Sequence, residues 1–493
     1  MTTGLTGLAT KLTLGGLGLL LLVVTLAKVA STLTQQDDAG YPDSYVLYDV
    51  HRYVATGTIY KDLSVPPYNP TVYGPLLYWA LGKVAGGNNQ FLGPRLLVFA
   101  AWASCVLLVG YLTSILVRMP YAWAWAVLAA CIPAVQPWIL QLRSDFFGIA
   151  FSLLAIVLLH RKRRWSVLAA GCCAGIAVVF KLTLASALGA GILWHILCRD
   201  WRGLLVFVAG ASGAAAMIFG WFWQTEPNMF AQMTALRNVV YEPRGALRLI
   251  GAAATQPVLP LAVASLPWVW RSAARWWGLL LLFCGLSLAI GAVTVLQAGA
   301  NINQFFEGLW AAVPLAILTL LRLLNLLRRQ AVADIALAVT ITALILVPVS
   351  LDAIKLPELL GESVRRNHEL RVIDGVLTGR EVASTIPRFA LMTTRPPLTD
   401  PYILGLQLTA GSDSYDRFFE PLRRGEFQLV VTSLIAKEWR GIPHVLPEMK
   451  AALSGAYRPY CVYGGAVFHL PPREEGSPLA RELIGIGCMP VAR

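Results

Sequence analysis

The stretch that decides the fold lies near the N-terminus. Residues 35–60 read Q-Q-D-D-A-G-Y-P-D-S-Y-V-L-Y-D-V-H-R-Y-V-A-T-G-T-I-Y, and residues 64–78 read S-V-P-P-Y-N-P-T-V-Y-G-P-L-L-Y. This polar, aromatic-rich stretch follows one hydrophobic segment, precedes a long series of others, and carries aspartates at positions 37, 38, 43 and 49. Because a few residues are enough to join two helices, a connection of this length predicts that a site is built here.

The composition is that of a membrane protein. Of the 493 residues, 57% are hydrophobic and only 14% are charged, and the mean hydropathy is +0.62. Soluble domains carry about 25% charged residues. The formal net charge of +13 comes largely from Lys and Arg in short clusters between apolar runs, which is typical of a topology signal. No basic stripe or nucleic-acid-binding motif accompanies this charge, so nucleic acid is not an expected partner.

Apolar runs recur along the first 350 residues, and a spanning helix needs roughly 20 such residues. We predict about eleven spans, near residues 12–30, 93–117, 121–141, 145–160, 165–180, 183–198, 203–223, 248–270, 276–297, 308–327 and 331–350. The first run is long, and no A-x-A-like cleavage site follows it, so it is interpreted as a span rather than a secretory signal.

The basic residues of the connections predict the orientation. With Lys11 inside, every even-numbered connection is basic, and the fourth reads R-K-R-R at 161–164. This pattern predicts a multi-pass protein of the cytoplasmic (inner) membrane with a cytoplasmic N-terminus. Because the number of spans is odd, the first loop at 31–92 and the residues after about 350 are expected on the outer face, next to membrane lipids.

The last part of the chain is far more polar than the rest. Strand-like runs such as 427–433 and 460–470 lie among helix-like pieces such as 415–424, which favours a small mixed α/β domain. We therefore predict a transmembrane domain at 1–350 and an extracytoplasmic α/β domain at 351–493. Cys461 and Cys488 could pair there, or they could be two unrelated thiols; the chain contains no metal-ligand spacing such as C-x-x-C.

Ionisable residues at membrane depth are candidates for function, and several fall on the predicted outer face. They are Arg143 and Asp145 between the third and fourth spans, Lys181 at the outer end of the fifth, Arg244 in the fourth outer loop, and Asn303 with Glu307 in the fifth. Such cations beside carboxylates suit the phosphate of an anionic lipid. Structural alternatives are that Lys181 only reaches for the interface, that Arg143 and Asp145 form an ion pair, and that residues 301–304 are a polar turn.

The acidic residues of the first loop suggest one reaction class. Transfer from a lipid phosphate to a hydroxyl needs a carboxylate that accepts the hydroxyl proton and cations that stabilise the departing phosphate. Asp43 lies near the start of a predicted amphipathic surface helix, and Asp38 lies close to the membrane exit. This chemistry requires no cofactor, and a divalent metal is compatible with it.

These segments together resemble the GT-C superfamily of integral-membrane glycosyltransferases. The nearest branch is family 39, which contains bacterial aminoarabinose transferases and protein mannosyltransferases. The resemblance covers the overall plan and the segments D-S-Y-V-L at 43–47, G-T-I-Y at 57–60, Y-G-P-L-L-Y at 73–78, R-S-D at 143–145 and N-I-N-Q-F-F-E at 301–307. The chain departs from the family at Ser44, where many relatives have a second acidic residue, and at Gly74, where proline is common.

The resemblance implies an inverting glycosyltransferase that moves a sugar from a polyprenyl-phosphate donor to a hydroxyl of a lipid, glycan or protein acceptor. It implies Asp43 as the catalytic base, with Asp38 as the alternative, and Arg143 and Lys181 as ligands of the donor phosphate. Further residues are expected at the same substrate site: Tyr73, Asp145, Arg244, Asn303 and Glu307. Two other classes are kept as alternatives, a lipid or solute transporter and a non-catalytic cell-envelope assembly protein.

Overall fold

A computed structural model describes most of the chain. The described residues are 23, 25–39, 43–62, 70–71, 73–86, 90–117, 132, 134–161, 163–234, 241–271, 275–297, 299–327, 361–391, 416–433, 438–439, 442–443 and 447–491. The predicted span at 331–350, most of the predicted spans at 12–30 and 121–141, and the boundary at 350/351 lie outside these residues.

Helices dominate the N-terminal part. They are 25–34 (α1), Asp43–Thr56 (α2), Pro75–Gly82 (α3), Leu92–Val117 (α4), Asp145–His160 (α5), Arg164–Phe180 (α6), Ser186–Leu197 (α7), Trp201–Thr225 (α8), Met229–Thr234 (α9), Pro243–Ala254 (α10), Val258–Ala264 (α11), Leu266–Arg271 (α12), Arg275–Thr294 (α13) and Phe306–Leu327 (α14). Short 3-10 turns occupy Gln136–Trp138 and Ile302–Phe305. Within the described ranges, four helices are long and apolar enough to cross a membrane, or five if one bent pair is counted as a span. The fold is therefore that of a polytopic helical membrane protein, and the count of about eleven spans stays a prediction.

Two predicted spans differ from the structure. The continuous helix expected at 248–270 is interrupted, because α10 and the helical segment Val258–Val269 meet at 68°. Pro257 stands at this break; proline has no N–H to donate and disfavours helical backbone at the residue before it. The end of the span expected at 121–141 is also different, since Gln136–Trp138 forms a 3-10 turn and residues 139–144 are not helical.

Small residues let the helices behind the site approach closely. A Cβ atom at Gly171 of α6 would lie 2.1 Å from the carbonyl oxygen of Phe207 in α8, and one at Gly175 would lie 2.4 Å from that of Ala211. Glycines four residues apart are a usual device for close helix packing in membranes. The tight packing of α6 on α8 fixes the end of α6, where Lys181 follows.

The central helix of the bundle is α14. Its side chains from Phe306 to Leu318 are almost all buried, and it packs against α4, α11 and α13. A helix that is apolar on all sides is expected to occupy such a central position. The 3-10 turn at its N-terminus, Ile302–Phe305, therefore presents Asn303 at the end of the bundle.

The C-terminal region contains a mixed sheet with helices. Helices lie at 361–377 (α15), Pro387–Ala390 (α16), Asp416–Arg423 (α17), Pro447–Ala456 (α18) and Pro478–Gly485 (α19), and strands at Val382–Ser384 (β1), Leu429–Ser433 (β2), Glu438–Trp439 (β3), Ile442–Pro443 (β4), Arg458–Tyr463 (β5), Ala466–Leu470 (β6) and Met489–Pro490 (β7). The main sheet has the order β1-β2-β6-β5-β7, in which only β1 and β2 are parallel. The pair β3 and β4 forms a separate two-stranded sheet.

One predicted strand-like run, 460–470, is two strands in the structure. Gly464 and Gly465 have φ values of +57° and +77°, which is the backbone of a tight hairpin turn that glycine adopts most easily. The turn reverses the chain so that β5 pairs with β6. Cys461 on β5 and Cys488 just before β7 form a disulfide with a Cα–Cα distance of 5.5 Å.

Candidate functional site

Asp43 begins α2 and joins the first loop to the segment that carries Arg143. Its Oδ1 atom accepts a hydrogen bond of 2.9 Å from the backbone N–H of Leu142, and its Oδ2 atom accepts one of 3.1 Å from that of Ala39. The side chain is fully buried. A carboxylate in the first turn of a helix is also favoured by the helix dipole. Asp43 is thereby held rigidly at the point where the two segments meet.

Asp38 lies beside Asp43 and is partly exposed. Its Oδ1 atom accepts hydrogen bonds from the backbone N–H of Ser44 at 2.7 Å and from the Ser44 hydroxyl at 2.5 Å. Desolvation, reinforced by the negative charges of Asp43 and Asp37, raises the pKa of Asp38 to about 7. Burial raises the pKa of Asp43 to about 6, although Arg95 opposes the shift. The carboxyl pair, Asp38 and Asp43, therefore titrates near neutral pH, as suits proton transfer.

Arg95, in the first turn of α4, is a site residue that the sequence interpretation missed. Its guanidinium is fully buried and lies 3.9 Å from Asp43 Oδ2. It also donates to the carbonyl oxygens of Thr32 at 2.9 Å, Gln35 at 2.6 Å and Asp37. Arg95 thus ties the end of α1 to the carboxyl pair. An arginine at the start of an apolar helix was a usable signal, because ionisable residues at membrane depth are rare.

Arg143 lies next to this pair and is partly exposed. Its guanidinium lies over the ring of Trp138, 4.5 Å from the centroid, and its Nε donates to Gln141 Oε1 at 3.0 Å. Tyr73 shares a side-chain hydrogen bond with Arg143. The structure therefore brings two predicted site residues, Arg143 and Tyr73, to the same place as Asp43.

Lys181 and Asn303 meet at Asp145. Lys181 Nζ lies 2.7 Å from Asp145 Oδ1, and Asn303 Nδ2 donates to both carboxylate oxygens at 3.1 and 3.2 Å. Lys181 thus has an ion-pair partner in Asp145, which the alternative of a lysine that only reaches for the interface does not require. Asp145 is buried, whereas Lys181 is partly exposed. The three residues come from the start of α5, the end of α6 and the turn before α14.

Glu307 and Arg244 occupy different surroundings. Glu307, one turn further into the bundle than Asn303, is buried and accepts hydrogen bonds from the hydroxyls of Ser186 and, at 3.2 Å, Ser287. Arg244 is exposed on α10, and none of the ion pairs found among the described residues joins it to a carboxylate of the site. Glu307 thus supports the helices behind the site, whereas the structure shows no contact between Arg244 and a carboxylate of the site among the described residues.

The first loop is anchored by two further residues that the sequence interpretation missed. Glu226, buried at the end of α8, accepts hydrogen bonds from the N–H groups of Ile59 at 2.6 Å and Tyr60 at 2.8 Å. Gln232 on α9 accepts one from the N–H of Thr71 at 2.8 Å. These bonds satisfy backbone groups of a buried loop, so α8 and α9 fix the loop to the bundle.

Within the described ranges, no three His, Cys, Asp and Glu side chains are grouped closely enough to hold a metal ion. We therefore assign no metal ligand. The positive charges described at the site are those of the Arg95, Arg143 and Lys181 side chains.

Comparison with known proteins identifies the fold. The sequence matches no protein-family model and no curated protein. The structure is similar to that of ArnT from Cupriavidus metallidurans in the apo state, with a TM-score of 0.62 and 13% sequence identity over 92% of this chain and 97% of that chain. The same protein bound to undecaprenyl phosphate matches with a TM-score of 0.61 and the same identity and coverage.

A weaker match is the archaeal oligosaccharyltransferase AglB from Archaeoglobus fulgidus in complex with an inhibitory peptide and a dolichol-phosphate. Its TM-score is 0.48, with 12% identity over 92% of this chain and 74% of that chain. The match to ArnT extends over nearly the full length of both chains. This chain therefore has a fold similar to that of ArnT.

Proposed function

We propose that the protein is an inverting glycosyltransferase that moves a sugar from a polyprenyl-phosphate donor to an acceptor hydroxyl. The observation that carries the proposal is the junction at Asp43. This carboxylate accepts a hydrogen bond from Leu142, so a proton acceptor lies directly beside the cation of Arg143. A reaction centre of this class needs both groups within reach of one substrate.

In the proposed reaction the acceptor oxygen attacks the anomeric carbon of the sugar. The bond from that carbon to the phosphate oxygen breaks with its electron pair on the phosphate, and the hydroxyl proton passes to Asp43, with Asp38 as the alternative acceptor. A single displacement inverts the anomeric configuration. The raised pKa values of the carboxyl pair suit this step, because a general base works best when its pKa is near the operating pH.

The departing phosphate gains negative charge, and Arg143 and Lys181 are proposed to stabilise it. Stacking on Trp138 fixes the plane of the Arg143 guanidinium, whose fork geometry suits phosphate oxygens. Lys181 carries three donor hydrogens, of which the contact with Asp145 uses one. We propose that Tyr73 holds Arg143 in place, that Asp145, itself fixed by Asn303, orients Lys181, and that Glu307 supports the helix that follows Asn303.

The undecaprenyl phosphate bound by ArnT supports a lipid-linked donor. For the location, we propose the outer face of the cytoplasmic membrane, with the C-terminal α/β domain at 351–493 on that face and Arg244 of α10 near the lipid headgroups. The basic even-numbered connections support this orientation. The disulfide between Cys461 and Cys488 supports it independently, because disulfides form and persist in oxidising compartments.

The test is a transfer assay with the purified full-length protein and polyprenyl-phosphate sugars, preceded by mass spectrometry of the lipids that copurify with it. We expect a retained polyprenyl-phosphate sugar and its conversion to polyprenyl phosphate when acceptor is present. Lys181→Met should weaken donor binding at least tenfold. The matched control is Lys83→Met, because Lys83 is exposed and lies over Trp79 in the first loop. Equal donor binding by both variants would contradict the phosphate role of Lys181.

A lipid flippase is the second candidate, because the 68° bend between α10 and α11 resembles the interrupted helices of transporters. Labelled polyprenyl-phosphate sugar in sealed vesicles separates the two. A flippase changes the leaflet of the label and leaves the glycosidic bond intact. A transferase releases the sugar to acceptor, and a non-catalytic assembly protein does neither.

A further inference from the structure

The C-terminal region contacts the segment that leads into the site. Asn367 on α15 bonds to the outer end of α1 twice: its Oδ1 accepts from the N–H of Gln36 at 2.8 Å, and its Nδ2 donates to the carbonyl of Thr34 at 3.0 Å. An asparagine that bonds to both a donor and an acceptor of the backbone fixes the position of that backbone. Helix α15 therefore fixes the position of residues 34–36.

Arg366, the preceding residue, adds a charged contact. Its Nε lies 2.9 Å from Asp37 Oδ2, and its guanidinium also donates to the carbonyl of Gly464 in the β5–β6 turn. Glu369 lies 3.7 Å from the same guanidinium. Arg366 therefore links α15, the turn of the sheet and the aspartate that directly precedes Asp38.

Arg388 on α16 makes a third contact and is almost fully buried. Its guanidinium donates to the carbonyl of Gln36 and pairs with Asp374 at 2.6 Å. The guanidinium also lies near the ring of Phe91, as does that of Arg95, at 5.9 and 4.5 Å from the centroid. Arg388, Phe91 and Arg95 thus form a second series of contacts between the C-terminal region and the carboxyl pair.

We propose that Arg366, Asn367 and Arg388 form a latch that positions the carboxyl pair, and that Arg366 is its electrostatic element. The inference rests on the proposed function for its consequence in catalysis. The residue after Asp37 is Asp38 itself, and the N–H of Ala39 donates to Asp43. A shift of residues 36–39 therefore moves both carboxylates relative to Arg143. The cation of Arg366 also offsets part of the negative charge of Asp37, which acts on Asp38.

The charged and titratable groups around the carboxyl pair come from several elements, and they determine the sign of the effect. They are Asp37 before α2, Tyr45 on α2, Arg95 on α4, Arg143 before α5, and Arg366, Asp374 and Arg388 from the C-terminal region. Loss of the Arg366 charge leaves Asp37 uncompensated, and an unbalanced negative neighbour raises the pKa of a carboxyl group. The base is then ionised only at higher pH.

The test compares full-length Arg366→Gln, Arg366→Lys and Arg365→Gln. Arg365 is the matched control, because it lies on the same helix, is 67% exposed and pairs only with Glu369 among the ion pairs found in the described chain. We expect the acid limb of kcat/KM to move up by about half to one pH unit in Arg366→Gln. Arg366→Lys should restore the wild-type profile, and Arg365→Gln should keep it. A merely structural role would lower kcat/KM equally at all pH values.

Hydrogen exchange provides a readout that does not depend on transferase activity. In Arg366→Gln, the amides of residues 36–39, 43 and 44 should exchange at least fivefold faster than in the wild type, while those of α6 remain unchanged. If the wild-type protein shows no transfer but exchange is faster in Arg366→Gln, the latch is supported and the proposed function is contradicted. An unchanged acid limb of kcat/KM together with unchanged exchange at residues 36–39, 43 and 44 would overturn the latch.

Discussion

The replacement of Asp43 by asparagine tests the proposed base most directly. Both carboxylate oxygens of Asp43 accept backbone N–H groups, from Leu142 and Ala39, and Arg95 lies 3.9 Å away with no exposure to solvent. An asparagine side chain keeps the shape but offers only one acceptor oxygen. Its NH₂ group would therefore face one of the two backbone donors, and the charge opposite Arg95 would be lost.

The magnitude follows from this geometry. Two unit charges 3.9 Å apart attract by about 4 kcal/mol at an effective dielectric constant of about 20. Desolvation outweighs that attraction, since the pKa of Asp43 is raised to about 6. The loss of stability therefore comes mainly from the backbone N–H that would face the NH₂ group without an acceptor, which costs about 1–3 kcal/mol. The loss of a general base lowers the rate by about 10²- to 10⁴-fold. Asp43→Asn should therefore lower both the rate and the thermal stability.

The assay must separate these two effects. Transfer is measured with saturating donor, donor binding is measured separately, and the thermal midpoint is recorded in detergent. We expect transfer to fall at least a hundredfold and the midpoint to fall by several degrees. Donor binding should stay within a fewfold, since the contacts among Lys181, Asp145 and Asn303 do not involve Asp43.

The comparison variant is Asp38→Asn, at a side chain that is partly exposed and has no ion pair with Arg95 among those found in the described chain. It should lower transfer by less than tenfold and the thermal midpoint only slightly. If Asp43→Asn retains more than a tenth of wild-type transfer, Asp43 is not the base. A large loss in Asp38→Asn in the same experiment would assign that role to Asp38.

Three further predictions concern packing, the disulfide and pH. Gly74→Ala should destabilise the protein by about 1–3 kcal/mol and lower transfer, since a Cβ there would lie 1.9 Å from the carbonyl oxygen of Val179; Gly251→Ala, in open space on α10, should be neutral or stabilising in the same thermal assay. Cys461→Ser with Cys488→Ser should cost the C-terminal region about 3–4 kcal/mol for a closed loop of 27 residues, and a midpoint insensitive to reductant in the wild type would contradict the disulfide. Transfer should rise with pH through about 6–7, because the carboxyl pair must be ionised to accept a proton; the same raised pKa values mean that the folded state holds protons that the unfolded state releases, so the pair's contribution to stability should fall as pH rises from about 4 to about 7.

The sequence by itself determined the class of the protein and the elements of its site. Long apolar runs indicate membrane spans because bilayer thickness fixes the length of a spanning helix. Helices α4, α8 and α13 coincide with apolar runs predicted as spans from the sequence. The acidic first loop and the residues Arg143 and Lys181 stood out because charge at membrane depth is costly. Local patterns of hydrophobicity and charge carry this information.

Only the tertiary structure decided which groups meet. Asp145 pairs with Lys181, 36 residues away, and Arg366 pairs with Asp37, 329 residues away. Arg95 adjoined a long apolar helix in the sequence, and only the packing of α1, α2 and α4 shows that it faces Asp43. Such contacts depend on how helices cross and on where glycines let them approach. These are properties of the packed bundle, so no single segment of the chain encodes them.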